Sequence, residues 1–188
     1  PLHAFDLDEI KGRQIIVKTL PAGSKFLSLD EVERTLHAED LMICDGDSTG
    51  MCIGGVFGGL NSGVKDSTVN IFLEAAHFSP TYIRRSSMRH NLRTDAAKVF
   101  EKGSDPNVTV FALKRAALLM QELAGGEIAS ELIDLYPNPV APREITVKYS
   151  YVNGILGVAL SPAEMEEILL AQGMSILASD EQTFTVAV

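Results

Sequence analysis

Residues 137–142 read Pro-Asn-Pro-Val-Ala-Pro, and this run limits the fold more than any other feature of the chain. Three prolines in six residues remove backbone donors and fix φ, so neither a helix interior nor a sheet interior can pass through them. The chain is therefore expected to fold as two pieces: a module over 1–136, a linker at 137–142, and part of a small domain over 143–188. Pro1 stands where a methionine would begin a complete chain, and Thr183-Phe184-Thr185-Val186-Ala187-Val188 alternates like a strand whose partner is still to come. Both ends read as cut from a longer protein, with the second domain truncated.

From Gln14 to Cys52 apolar residues recur mostly at every second position, in Ile15-Ile16-Val17, Phe26-Leu27-Ser28-Leu29, Leu41-Met42-Ile43-Cys44 and Met51-Cys52-Ile53. With turns at Pro21-Ala22-Gly23 and Asp45-Gly46-Asp47, that is a sheet meander. Residues 28–38 admit two readings, a helix opened by Ser28-Leu29-Asp30-Glu31 or a hairpin turning near Asp30-Glu31, of which the hairpin is favoured. Thr68 to Phe78 reads as a buried strand long enough to be central. Ser79-Pro80 then suits a helix start, with serine as cap and proline in the first turn, giving a helix over about 80–90. A short helix near 94–102 and a strongly amphipathic one over 107–124, closed by Gly125-Gly126, follow. Past the linker, Glu144 to Tyr149 reads as a strand and Ser161-Pro162-Ala163-Glu164 as a capping box opening a helix. The sum is an α+β protein, sheet-rich at first, with helices packed on one side of the sheet and a small α+β domain after the linker.

Hydrophobic residues make up 46% of the 188, enough for one core plus a small partner. No apolar run approaches the roughly 20 residues of a membrane span, and the start lacks the basic-then-apolar pattern of a signal peptide. The expectation is a soluble, cytoplasmic protein without a membrane partner. A formal charge of -9 argues against the whole-surface attraction used by basic nucleic-acid binders, so any RNA contact must be local. One segment fits: Arg84, Arg85, Arg89, His90, Arg93, Lys98 and Lys102 share a stretch whose only acids are Asp95 and Glu101. Solvated helix faces explain it equally well. Cys44 and Cys52 lack any CxxC or His-rich context, so reduced, partly buried thiols are expected and no metal site is.

Glu74 stands out, because it sits in the apolar run Asn70-Ile71-Phe72-Leu73-Glu74-Ala75-Ala76, and glutamate is rarely buried without a partner. If it points inward it must find a donor, and a ligand hydroxyl is one candidate among backbone amides and arginines. The loop Gly54-Gly55-Val56-Phe57-Gly58-Gly59-Leu60-Asn61-Ser62-Gly63 fails both nucleotide-binding patterns on spacing, so its glycines signal either close backbone approach to a ligand or tight packing. Thr94 and Ala96 flank a helix start, where Thr94 serves as a cap or binds a polar group. His3 suits chemistry near neutral pH. No GxSxG or HExxH pattern appears.

Five ordered blocks carry a resemblance: Pro1-Leu2-His3-Ala4-Phe5-Asp6, Gly54-Gly55-Val56-Phe57-Gly58-Gly59, Asn61-Ser62-Gly63-Val64, Leu73-Glu74-Ala75, and Leu92-Arg93-Thr94-Asp95-Ala96 with Phe100-Glu101-Lys102-Gly103-Ser104-Asp105-Pro106. Together they resemble the editing module of bacterial phenylalanyl-tRNA synthetase beta subunits, with 142–188 resembling the start of the small domain that follows it. The resemblance implies hydrolysis of tyrosine mischarged onto tRNA(Phe). It implies His3, Glu74 and Thr94 as catalytic residues and Gly55, Glu74 and Ala96 as substrate-binding ones. It also implies an arginine and an asparagine upstream of the histidine motif, before Pro1. Arg84, Arg85, Arg89 and Arg93 become candidate RNA contacts. Partners implied are tRNA(Phe) and an alpha subunit, in a heterotetramer of two alpha and two beta chains. No cofactor is expected on this chain, while ATP and Mg2+ serve the full synthetase. The alternative is a non-catalytic module that places tRNA, and a third reading is a protein-docking scaffold.

The physical logic is that a synthetic pocket for phenylalanine excludes one added hydroxyl only weakly, by roughly 100-fold in comparable cases. A second site can invert the problem. If Glu74 and an amide near Gly55 bond the tyrosine hydroxyl, phenylalanine would leave a buried carboxylate unpaired, at about 1–3 kcal/mol or more.

Overall fold

Alternation between Ile16 and Ile53 is satisfied by antiparallel pairing, in a computed structural model that describes all 188 residues. In chain order the strands of the first part are β1 (Leu2–Asp6), β2 (Ile16–Thr19), β3 (Lys25–Leu27), β4 (Glu33–Thr35), β5 (Leu41–Cys44), β6 (Gly50–Ile53), β7 (Phe57–Gly58) and β8 (Ile71–Ala75). They form a four-stranded sheet in the order β2-β5-β6-β7 and two ribbons, β1-β8 and β3-β4. The β3-β4 ribbon is the hairpin expected over 28–38, with Glu31 at φ 62 in its turn. Three helices follow: α1 (Pro80–Arg89), α2 (Asp95–Phe100) and α3 (Thr109–Ala124). The chain divides into two units, Pro1–Asp134 and Leu135–Val188.

The first core joins the sheet to the helices through Met42, Ile43, Ile53, Phe78, Ile83 and Phe100. Phe78 meets Phe100 edge-on, with centroids 5.0 Å apart, tying the entrance of α1 to the end of α2. Asn91, at φ 53, ends α1 in a Schellman turn: its N–H donates to the Met88 carbonyl, and that of Leu92 donates to Ser87. Leu92 is thereby buried, and the chain is turned directly into Thr94 and α2.

Several expectations need correction. The run Thr68–Phe78 yields only the five residues of β8, half-buried for the most part and paired with β1 alone, so Glu74 is not on a central strand. Ser79 occupies the N-cap of α1, but its hydroxyl makes no capping bond. α3 starts at Thr109 after a 3-10 turn at Pro106–Val108, buries no residue fully, and leaves Phe111 and Leu123 exposed.

The second unit has its own core of Tyr149, Met165, Phe184 and Val186. Its elements are β9 (Glu144–Lys148), α4 (Tyr149–Leu156), α5 (Pro162–Ala171), β10 (Ser175–Ser179) and β11 (Thr183–Ala187). The Ser161–Glu164 capping box opens α5 as expected. The final strand is not waiting for a partner: β11 lies between β10 and β9, antiparallel to both. No helix is long and apolar enough to cross a membrane.

A buried polar node locks α1 to the sheet side. Asp40, fully buried, accepts from the His37 amide (2.8 Å), Ser86 Oγ (2.7 Å) and Arg89 Nη1, and its Oδ2 lies 2.7 Å from His90 Nε2. Burial pushes its carboxyl up, but hydrogen bonds from Ser86, the His37 amide and His90 outweigh this and hold it below its ordinary value. Replacing Asp40 with Ala would strand these donors, so Asp40→Ala should lower stability by about 3–5 kcal/mol in chemical denaturation. Glu39→Ala, which loses only surface pairs to His37, Arg85 and Arg89, should cost less than about 1 kcal/mol.

Candidate functional site

Two of the expected residues are set by one strand pairing. In the β1-β8 register His3 stands opposite Glu74 and Phe5 opposite Phe72, so all four side chains share a face. Phe5 is fully buried, which turns this face toward the core. The His3 ring stacks on Phe5, with centroids 4.0 Å apart and planes at 18°.

The β6-β7 hairpin closes over the same pair. Cys52 and Gly58 are register partners. Cys52 Sγ lies 3.9 Å from His3 Nδ1, and a Cβ on Gly58 would come within 3.0 Å of His3 Cε1. Neither Cys52 nor Gly58 was singled out by sequence reasoning as part of the site. The signal available was the second glycine pair, Gly58-Gly59, which marks a close approach of the backbone.

Glu74 is half-buried and forms no hydrogen bond or ion pair within the chain, although its carboxylate keeps some access to solvent. Burial pushes its pKa up to about 7. His3 moves the other way, because burial disfavours its charged form and lowers its pKa. Near pH 7 the site therefore holds a neutral imidazole beside a carboxyl poised between its two forms.

Thr94 caps α2, accepting from the Ala97 amide at 3.1 Å, and donates its hydroxyl proton to the Val56 carbonyl at 2.7 Å. With its single proton committed, the hydroxyl positions the glycine turn of the hairpin rather than presenting a donor. Gly55 sits in that turn at φ 69, and an added Cβ would come within 2.7 Å of Phe78 Cδ2 and Ile83 Cδ1. Its flank thus faces apolar packing, while its amide donates to no backbone carbonyl. Ala96 is half-buried against the core. The structure joins His3, Glu74, Cys52 and Gly58 directly, and links Thr94 to them along the hairpin through Val56. A separate groove of about 320 Å³ lies beyond the glycine turn, between Leu41, Gly54, Phe78, Tyr82 and Ile83, and His3 and Glu74 do not line it.

Of the candidate RNA contacts, Arg85 pairs with Glu39 at 3.4 Å and Arg89 with Glu39 and Asp40, so both are partly used within the fold. Arg84 and Arg93 are exposed and form no ion pair. No group of three or more His, Cys, Asp or Glu side chains is arranged to hold a metal ion.

The B3/4 domain model matches residues 1–125, and the chain belongs to that family. More narrowly, over all 188 residues it is 44% identical to a protein of Bacteroides fragilis (strain YCH46) named phenylalanine-tRNA ligase beta subunit. It is 45% identical over 188 residues to the protein of that name from Porphyromonas gingivalis, and 44% over 168 residues, 89% of the chain, to that of Geobacter metallireducens. The chain spans 23% of the first two relatives and 21% of the third. A looser match is the solved N-terminal fragment of the Pyrococcus horikoshii phenylalanyl-tRNA synthetase beta subunit, at 17% identity and TM-score 0.47, covering 99% of this chain and 53% of that one.

Glu74 gives the fold a pH signature. Its folded pKa lies above the unfolded value of 4.5, so its favourable contribution is complete below about pH 4.5 and is lost as pH rises through 7. Glu74→Gln, uncharged throughout, should stabilise the protein at pH 8 by on the order of 1–3 kcal/mol and leave it nearly unchanged at pH 4. Urea denaturation at the two pH values measures the difference.

Proposed function

We propose that this chain is the editing part of a phenylalanine-tRNA ligase beta subunit, which hydrolyses the ester of tyrosine mischarged onto tRNA(Phe). The observation that carries the reading is the Glu74 carboxylate, drawn out of water yet without a donor in its own chain. A carboxylate so placed favours a ligand that brings a hydroxyl, since the alternative leaves it desolvated and unpaired. Tyrosine has that hydroxyl and phenylalanine lacks it. The Gly55 amide, free of a backbone partner, is a second group available to the ligand. His3, the register partner of Glu74 and neutral near pH 7, is the group placed to act as a base. Relatives that match the whole of this chain and bear the ligase name support the ligase part of this reading.

In the complete ligase this part would work beside an alpha subunit, in a cytoplasmic assembly of two alpha and two beta chains. ATP and Mg2+ would serve aminoacylation at a separate synthetic site. Arg84 and Arg93, unpaired on the surface, would meet the tRNA backbone. Those free arginines also favour the second reading, a module that places tRNA without cleaving its ester.

With the full beta subunit and its partner, Glu74→Ala should slow deacylation of tyrosyl-tRNA(Phe) at least about tenfold, so that the mischarged species accumulates. Deacylation at the unmodified rate would exclude the proposed role of Glu74. Charge reversal at Arg84 and Arg93 should weaken tRNA binding. If binding falls in that double variant and the Glu74→Ala rate is normal, the placement reading stands instead.

A further inference from the structure

A buried thiol reads from sequence as packing material, but Cys52 stands against the imidazole of the candidate site. Its sulfur is within hydrogen-bonding distance of two groups, the Ile53 carbonyl oxygen at 3.3 Å and His3 Nδ1 at 3.9 Å. Burial, reinforced by the charge of Glu74, pushes the thiol well above its ordinary pKa, so it remains S–H across the physiological range. The Ile53 oxygen is the nearer of the two, and it takes the single thiol proton beside the bond it accepts from the Val56 amide at 2.9 Å. Sulfur is left with lone pairs toward His3, and Nδ1 can meet these only as an N–H donor.

The ring has few other choices. Phe5 covers one face of it, and Gly58 lies against its Cε1 edge, so the imidazole plane is held by packing. Glu74, the other titratable group beside the ring, makes no hydrogen bond to it. Burial keeps the ring neutral near pH 7, and a neutral imidazole carries only one proton.

We propose that Cys52 is a positioning residue that holds His3 as the Nδ1–H tautomer and leaves Nε2 as its only proton acceptor. The catalytic consequence rests on the hydrolytic reading of the site. A water oxygen bonds to the tyrosyl carbonyl carbon as Nε2 takes its proton. The bond from that carbon to the tRNA ribose oxygen then breaks, and Nε2 returns the proton to the departing ribose oxygen. In the other tautomer Nε2 is already protonated and cannot begin the sequence. The thiol is neither nucleophile nor acid in any step.

The test is a long-range 1H–15N correlation spectrum of the histidine rings at pH 7.5, on the 15N-labelled protein. His3 should show a protonated Nδ1 and an unprotonated Nε2. In Cys52→Ala that pattern should be lost, with more than half of the ring population moving to the Nε2–H form. Cys52→Ser should restore it in part, because a hydroxyl can also donate to Ile53 and accept from Nδ1. An Nε2–H ring in the unmodified protein, or an unchanged spectrum in Cys52→Ala, overturns the assignment. In the complete ligase, Cys52→Ala should lower kcat for tyrosyl-tRNA(Phe) hydrolysis by roughly tenfold with KM little changed. An unaltered kcat overturns the catalytic consequence. If the unmodified ligase fails to hydrolyse the ester while the tautomer is as stated, the functional reading falls and the role of Cys52 in orienting the ring stands.

Discussion

The pairing of β1 with β8 is the constraint on which the site depends. Phe5 is fully buried, and strand alternation then puts His3 on the same face two residues away. Antiparallel register sets Glu74 opposite His3 and Phe72 opposite Phe5. A slip of one residue would turn Phe5 to the other face, so the apolar core enforces the geometry of a polar pair. The β6-β7 hairpin reads that register from the other side, bringing Cys52 and Gly58 to the imidazole. Thr94 then ties the hairpin to α2 through the Val56 carbonyl.

Two carboxylates in the same unit show how environment separates structure from chemistry. Asp40 is the more deeply buried, yet four groups of the chain surround it and its acid form is disfavoured. Its role is finished within the fold. Glu74 loses water without gaining a donor, and its acid form is favoured up to about pH 7. The difference lies in partners rather than in depth.

Much of this was legible in the sequence wherever local chemistry decides. Alternation around Leu41 to Ile53 became β5 and β6, Thr94 and Ser161 became caps, and Pro80 opened a helix, because these signals act over a few residues. Pairing partners were not legible. The apolar run around Glu74 suggested a central strand but made the outer half of a ribbon, and β11 found both of its neighbours within the chain. β10 and α4 went unread, since Ser175–Ser179 is short and Gly154 interrupts the helical pattern of 149–156. Within the site, His3, Glu74 and Thr94 were visible as residues, whereas the engagement of Arg89 with Asp40, the committed proton of Thr94 and the approach of Cys52 to His3 arise only from tertiary packing.

Whether Glu74 takes a hydroxyl donor from the ligand is read from the titration of its own carboxyl carbon by 13C NMR. The ligand would be tyrosine joined to the 3′ position of adenosine through a non-hydrolysable amide, with the phenylalanine compound as control. The free midpoint should lie near 7 and fall when the tyrosine compound binds, because a donor favours the charged form, and should not fall with the phenylalanine compound. A free midpoint at the ordinary value of 4.5, or the same response to both compounds, would contradict this role of Glu74.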